Sequence, residues 1–260
     1  MSNRTQIDED SMEVPEVIKP EFNKYPVGID ADIISYRCAF SAKDGTQDDA
    51  IEKVNELVDS ILDKVAGTWP DENLITYYLT GKNNFRYEVA KSFPYKGNRS
   101  TVEKPEHLNF IRDYLVEQYG AFVVHGKEAD DELATQASRN RYNYIIASTD
   151  KDFLQVPCWI YNWGRDTWVK PDEYSAHKAL YIQMLTGDRS DNIVGLHQIG
   201  PVRAESILEG STTEEEMYDA VLKAYDGDSE RVEENARLLF LQRYPGQMWK
   251  PPMERGRGRK

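Results

Sequence analysis

Residues 126–152 read GKEADDELATQASRNRYNYIIASTDKD. The stretch opens with Glu128, Asp130 and Asp131 and closes with Asp150 and Asp152. Between the two acidic groups a helical pattern gives way to the strand-like run NYIIAS at 143–148, so the second pair follows the end of a buried strand. The first group begins a helix just after another short apolar run, AFVV at 121–124. In an open α/β sheet, sites form outside the carboxyl ends of the strands. Two acidic groups delivered there by neighbouring strands face each other, and carboxylates so placed repel unless protonated or bound to a cation. Hard oxygen ligands of this kind suit Mg²⁺ or Mn²⁺, and the stretch reads as a metal site suited to phosphate chemistry. Enrichment of acids at a helix N-terminus accounts for Glu128 to Asp131, but not for Asp150 and Asp152 after a strand.

The chain of 260 residues is long enough for one large domain or two small ones, and its 40% hydrophobic share supports a real core. A net charge of −13 excludes a generic polyanion binder. It does not exclude a nucleic-acid enzyme whose acids bind metal and whose cations cluster. Cys38 and Cys158 have no metal-ligand spacing, which points to a reducing compartment. No stretch approaches the ~18 apolar residues of a membrane span. His107, His125, His177 and His197 form no pair at metal spacing, and there is no Walker-type loop or Ser-His-Asp arrangement.

Residues 1–23 are polar and aperiodic and read as a flexible leader. YPVGIDA at 25–31 is a strand ending in Asp30; if strand geometry persists, Asp32 shares its face. Residues 49–67 form an amphipathic helix, and NLITYYLT at 73–80 the next strand. The segment 81–105 then interleaves Lys82, Arg86, Lys91, Lys96, Arg99 and Lys104 with Phe85, Tyr87, Phe93 and Tyr95. In so acidic a chain this suggests contact with phosphates and unstacked bases, against the alternative of a solvated loop. A helix at 105–120 follows, and CWIYNW at 158–163 with TWVK at 167–170 makes a hairpin. The alternation predicts a mainly parallel sheet with helices on both faces, followed from 171 by helices. Within that part Asp188 and Asp191 bracket a short turn. The segment GLHQIG at 195–200 precedes a helix carrying Arg203, a glycine-bounded hairpin resembling a helix–hairpin–helix grip on DNA backbone. The tail RGRGRK at 255–260 is cationic.

The blocks GIDADIISYR, FPYKGNR, EADDELA, STDKDF and TGDRSDNIVGLHQIG, in this order, resemble the 5′-nuclease family of flap endonucleases, bacterial DNA polymerase I nuclease domains and phage 5′→3′ exonucleases. The resemblance runs from about residue 25 to 208. It implies a PIN-like α/β core at 24–170 with an arch at about 82–104. It also implies a helical DNA-binding part at 171–250 with a helix–three-turn–helix, before a basic tail at 251–260. By motif, Asp30, Glu128, Asp130, Asp131 and Asp150 carry over as ligands near one metal, and Asp152, Asp188 and Asp191 near a second. Lys96 and Arg99 carry over as the groups that act on the scissile phosphate, with Tyr95 stacking on a base near the break. Lys82, Arg86, Gly195, Ile199, Gly200 and Arg203 are the further expected DNA contacts. Relatives imply Mg²⁺ or Mn²⁺, two per site, and a K⁺ at the hairpin.

Many relatives place an aspartate after the second strand, where this chain reads Leu79-Thr80-Gly81. The expectation here is that Asp32 substitutes. The implied reaction is hydrolysis of DNA phosphodiesters near 5′ ends, at flaps or at duplexes with single-strand junctions. The implied enzyme is a monomeric, cytoplasmic, stand-alone phage protein of DNA replication. Removal of RNA primers from RNA–DNA hybrids, and a non-catalytic DNA-structure binder, are the alternatives.

Overall fold

The computed structural model describes residues 19–21, 23–67, 70–99 and 103–255. Most of the leader expected at 1–23, residues 100–102 of the expected arch, and residues 256–260 of the tail lie outside them. Eleven elements build the first part: β1 (Val27–Asp30), α1 (Ala31–Ser41), α2 (Gln47–Val65), β2 (Ile75–Thr80), α3 (Arg86–Val89), α4 (Leu108–Tyr119), β3 (Phe122–Val124), α5 (Ala129–Arg139), β4 (Ile145–Ala147), β5 (Trp159–Asn162) and β6 (Thr167–Val169). The sheet runs β3-β2-β1-β4-β5-β6. Every pairing is parallel except that of β5 with β6, which is antiparallel. All four residues of β1 and all three of β4 are buried, as expected of central strands covered on both faces.

Local chemistry sets the helix limits. Thr46 and Asp49 form a capping box at the start of α2, whose Ala50, Val54, Val58, Ile61 and Val65 turn one buried face to the sheet. Gly120, at φ 63°, takes the left-handed conformation that ends α4. The helix α1 departs from the expectation of a strand persisting through 31. Asp30 ends β1 and at once caps α1, accepting from Ile33 N at 3.3 Å. Asp30 and Asp32 therefore lie on a cap and a first helical turn, not on one face of a strand.

The second part comprises α6 (Glu173–Thr186), β7 (Gly187–Asp188), β8 (Ile193–Val194), α7 (Pro201–Ile207), α8 (Glu214–Ala224), α9 (Ser229–Leu239) and α10 (Pro252–Arg255). It has a core of its own, including Tyr181, Met184, Leu185, Val221, Val232 and Ala236. The short ribbon β7–β8 and a turn bridge α6 to α7. Residues 252–255 of the expected basic tail are helical. Among the described residues no helix is long and apolar enough to cross a membrane.

Candidate active site

The strand order reverses between β1 and β4, the switch point at whose carboxyl ends an open α/β sheet leaves its crevice. Asp30 ends β1, and Ser148 to Asp152 follow β4. Asp30 is 1% exposed, and its Oδ2 accepts from Ser148 Oγ at 2.7 Å. Burial, then the charge of Asp32 and, more weakly, of Asp150, pushes its pKa up to about 7. Asp130, in the first turn of α5, is pushed well up by burial and by Asp30, Asp150, Glu128 and Asp32. Burial also raises Asp150, assisted by Asp188 and Asp191. Asp152 rises to about 8 through burial and the charges of Asp150 and Asp188. These mutual effects trace one row of carboxylates along the crevice, from the β1 end to the start of the ribbon. At its far end burial would raise Asp188. Hydrogen bonds from Ser190 and the Lys151 ammonium, 3.0 Å away, hold it below its ordinary value instead.

Among the described residues no three carboxylate, histidine or cysteine side chains close on one point as a preformed metal cage. Protein donors hold several of the acids: Ser148 on Asp30, Gln183 on Asp152, and Ser190 with Lys151 on Asp188. No hydrogen bond or ion pair engages the Asp130 carboxylate among the described residues.

Beside the row, residues 94–99 are stitched to the turn at 188–192. Lys96 N donates to Asp191 O at 2.9 Å, Asn98 Nδ2 to Arg189 O at 2.7 Å, Arg99 Nε to Ser190 O at 2.9 Å, and Asn192 Nδ2 to Pro94 O at 2.9 Å. Within this joint Lys96 pairs with Glu128, and Arg99 with Asp191 at 2.8 Å. The Tyr95 hydroxyl shares its one hydrogen between two carboxylates, 2.6 Å from Asp191 and 2.9 Å from Glu128. Glu128 and Asp191 thus face the cationic turn rather than open solvent.

Several expected roles are corrected by this packing. Asp131 is sealed at 0% exposure and takes a bidentate pair from Arg86, together with Glu128 N at 3.1 Å and Gln242 N at 3.0 Å. Its lone pairs are spent inside the protein. Arg86, 1% exposed, also donates to Leu238 O and Phe240 O at the end of α9, so it does not reach DNA. Tyr95 is 4% exposed with its ring edge against Tyr87, which leaves no face for a base. The described part of the expected arch is a strap packed on the helical part. Glu234 accepts from Lys91 N at 2.7 Å, Ser92 N at 2.8 Å and Ser92 Oγ at 2.5 Å.

Asp32 does sit at the acid-less position, accepting from Thr80 N at 2.8 Å, but Arg112 pairs with it and also donates to Thr80 O. Lys82 is exposed at the mouth of β2. At the hairpin, a Cβ on Gly195 would come within 2.3 Å of Thr186 backbone, while one on Gly200 would meet open space. Ile199 N donates to Leu196 O at 3.2 Å, and Arg203 donates to Gln198 O at 3.0 Å. Ser148, Lys151, Gln183 and Arg112 were not singled out from sequence. Ser148 and Lys151 carried a signal, both lying in the block STDKDF; Gln183 and Arg112 did not.

No family model matches the chain. It is 25% identical over 225 residues to a 5′-3′ exonuclease of Buchnera aphidicola, covering 78% of this chain and 77% of that protein. It is 27% identical over 237 residues to DNA polymerase I of Caldicellulosiruptor bescii, covering 82% of this chain but only 27% of that protein. The thermostable DNA polymerase I of Thermus aquaticus is 30% identical over 167 residues, 55% of this chain and 18% of that protein. Among solved structures, a bacteriophage T5 flap endonuclease in a pseudo-enzyme–product complex with DNA and metal ions superposes with a TM-score of 0.65 at 18% identity, covering 84% of this chain and 89% of that one. The T5 protein co-crystallised with metal ions gives 0.55 at 19% identity, covering 84% and 90%. In sequence over most of its length, and in its PIN-like fold, the chain resembles the 5′-nuclease family.

Proposed function

We propose that the protein is a metal-dependent 5′-nuclease that hydrolyses DNA phosphodiesters near 5′ ends, acting as a 5′→3′ exonuclease and flap endonuclease. The row of repelling carboxylates at the sheet's switch point carries this reading. Its donors are all hard oxygens, and their charge is poorly compensated by the protein, which fits Mg²⁺ or Mn²⁺. Asp30, Asp130 and Asp150 would hold one ion, with Asp152 and Asp188 toward a second. Bound there, the ions would supply an activated water and charge neutralisation at the leaving 3′-oxygen.

The chain's own groups do the remaining work. Lys96 and Arg99 hold positive charge at the rim of the row, fixed by the joint to 188–192, and would meet the scissile phosphate by exchanging their carboxylate partners. The turn at 195–200 and the exposed Lys82 would grip duplex backbone by shape rather than by base identity. The relatives' names and the T5 complex with DNA support the same substrate class. We place the enzyme in DNA replication, in the cytoplasm.

The test is digestion of a 5′-flap DNA labelled at both ends, with Mg²⁺ or with chelator, by the protein and its Asp150→Ala variant. Mg²⁺-dependent release of 5′ fragments, lost on substitution while DNA binding persists, is expected. Binding without any cleavage would make the protein a DNA-structure binder. Faster cleavage of a matched RNA 5′ strand would make it a primer-removal enzyme.

A further inference from the structure

Away from the carboxylate row lies a cavity of about 310 Å³. Tyr142 precedes β4 and Pro157 precedes β5, so it opens at the amino-terminal edge of the sheet, opposite the crevice. Its other walls come from α6, from the start of α8 and from the chain after α9. Arg243 lines it, donating to Leu241 O and Gln155 O, with the Tyr142 hydroxyl beside it. Among the described residues no carboxylate stands within ion-pair distance of this guanidinium. The acid whose charge does reach it, Asp131, is already taken by Arg86. Burial accordingly holds the Arg243 pKa below its ordinary value.

Deeper in the cavity, the charge of Glu214 is matched. Glu214 is paired with Arg255 at 2.7 Å, faces His177 Nε2 at 3.7 Å, and accepts from the Tyr181 hydroxyl at 3.2 Å. Glu173 stands exposed at the rim. What the cavity lacks is one anion at Arg243. A guanidinium carries five donors in a planar fork; two carbonyls and the Tyr142 hydroxyl engage part of it, the Phe240 ring lies against one face at 5.1 Å, and the remaining donors are left for a tetrahedral oxyanion. The apolar walls of Leu180, Ala176 and Phe240 leave room for a body attached to that oxyanion.

We propose that this cavity binds a phosphate monoester, anchored on Arg243. Inorganic phosphate and a 5′-mononucleotide share that chemistry. The site stands independently of the carboxylate row, so it is tested in chelator, where no divalent ion bridges phosphate to the row. Calorimetric titration of the full chain with inorganic phosphate, deoxyadenosine 5′-monophosphate and deoxyadenosine is expected to show one site for the two phosphates and none for the nucleoside. Tighter binding of the nucleotide would assign the body of the cavity to its base and sugar; equal binding would assign the site to phosphate alone. Arg243→Gln, and Arg243→Lys, which keeps the charge but not the fork, should weaken binding roughly ten-fold or more. Because Arg243 also clamps residues 155 and 241, the Nε–Hε resonance of Arg243 in the unaltered protein gives a second readout, shifting on titration. Absence of binding by both phosphates, binding of the nucleoside equal to that of the nucleotide, or affinity unchanged in both variants would overturn the proposal.

Discussion

Replacing Arg86 by methionine should cost stability rather than DNA affinity. The guanidinium makes a bidentate pair with Asp131 and caps the carbonyls of Leu238 and Phe240. It thereby ties the start of the acidic helix α5 to the end of α9. Burial alone would lower its pKa, but Asp131 and Glu128 more than restore it, so the guanidinium stays charged. Methionine fills much of the space but leaves the 0%-exposed Asp131 carboxylate with backbone donors only. Breaking a buried pair from one side costs about 3–5 kcal/mol. That is about a fifth or more of a typical domain's ~5–15 kcal/mol. At about 2–4 °C per kcal/mol for a chain of this size, Tm should fall by about 6–20 °C. Arg99→Ala, by contrast, removes a pair whose arginine is 47% exposed and should cost about 0.2–1 kcal/mol. Urea denaturation followed by circular dichroism measures both. Arg86→Met combined with Asp131→Leu should cost less than the sum of the two single changes, since neither partner is then stranded. An Arg86→Met protein of unchanged stability but weakened DNA binding would refute this reasoning and restore Arg86 to the nucleic-acid surface.

The raised carboxylates set a pH dependence. The folded pKa values of Asp30, about 7, and Asp152, about 8, lie above the unfolded value of 3.8, so folding favours their protonated forms. Their contribution is complete below that unfolded value and is lost as pH rises through about 7 and 8. In chelator, Tm should therefore decline across this window more steeply than in Asp30→Asn or Asp152→Asn, and Mg²⁺ at the alkaline end should restore it; identical profiles would contradict the assignment. Glu234→Ala strands the Lys91 and Ser92 donors and should cost about 1–3 kcal/mol, with faster proteolysis of the strap at 82–99 as the readout. Gly195→Ala drives a Cβ within 2.3 Å of backbone and should disrupt the ribbon, whereas Gly200→Ala meets open space and should leave Tm unchanged. Equal melting temperatures for the two glycine variants would show that the hairpin does not need the close approach.

What sequence revealed and what it concealed divide along the range of the interactions. Central strands such as Ile145–Ala147 within NYIIAS are short, apolar and bounded by polar residues, so β4 was legible without its neighbours. The same holds for α2, whose apolar spacing and caps are local. Helix α1 was missed because ADIISYRCAFS scatters Tyr36 and Phe40 onto the exposed side and has no clean apolar stripe. Asp130 and Asp150 could be placed at the carboxyl end of the sheet because each follows a recognisable strand, but the two strands are not the neighbours expected: β2 and β1 lie between β3 and β4. The burial of Arg86 could not, because its partner lies 45 residues away and its carbonyl acceptors more than 150. An arginine among aromatics reads locally as a nucleic-acid contact, and only the fold shows it facing inward. Tyr95 is hidden for the same reason, its hydroxyl being claimed by acids 33 and 96 residues away.

The proposed nuclease activity requires the carboxylate row to seat divalent cations. Anomalous diffraction from a crystal of the protein soaked in Mn²⁺ measures this directly. Peaks bonded to side-chain oxygens of Asp30, Asp130 and Asp150, with a second toward Asp152 and Asp188, are expected. Manganese bound only elsewhere, with these carboxylates still held by Ser148, Gln183 and Lys151, would contradict it.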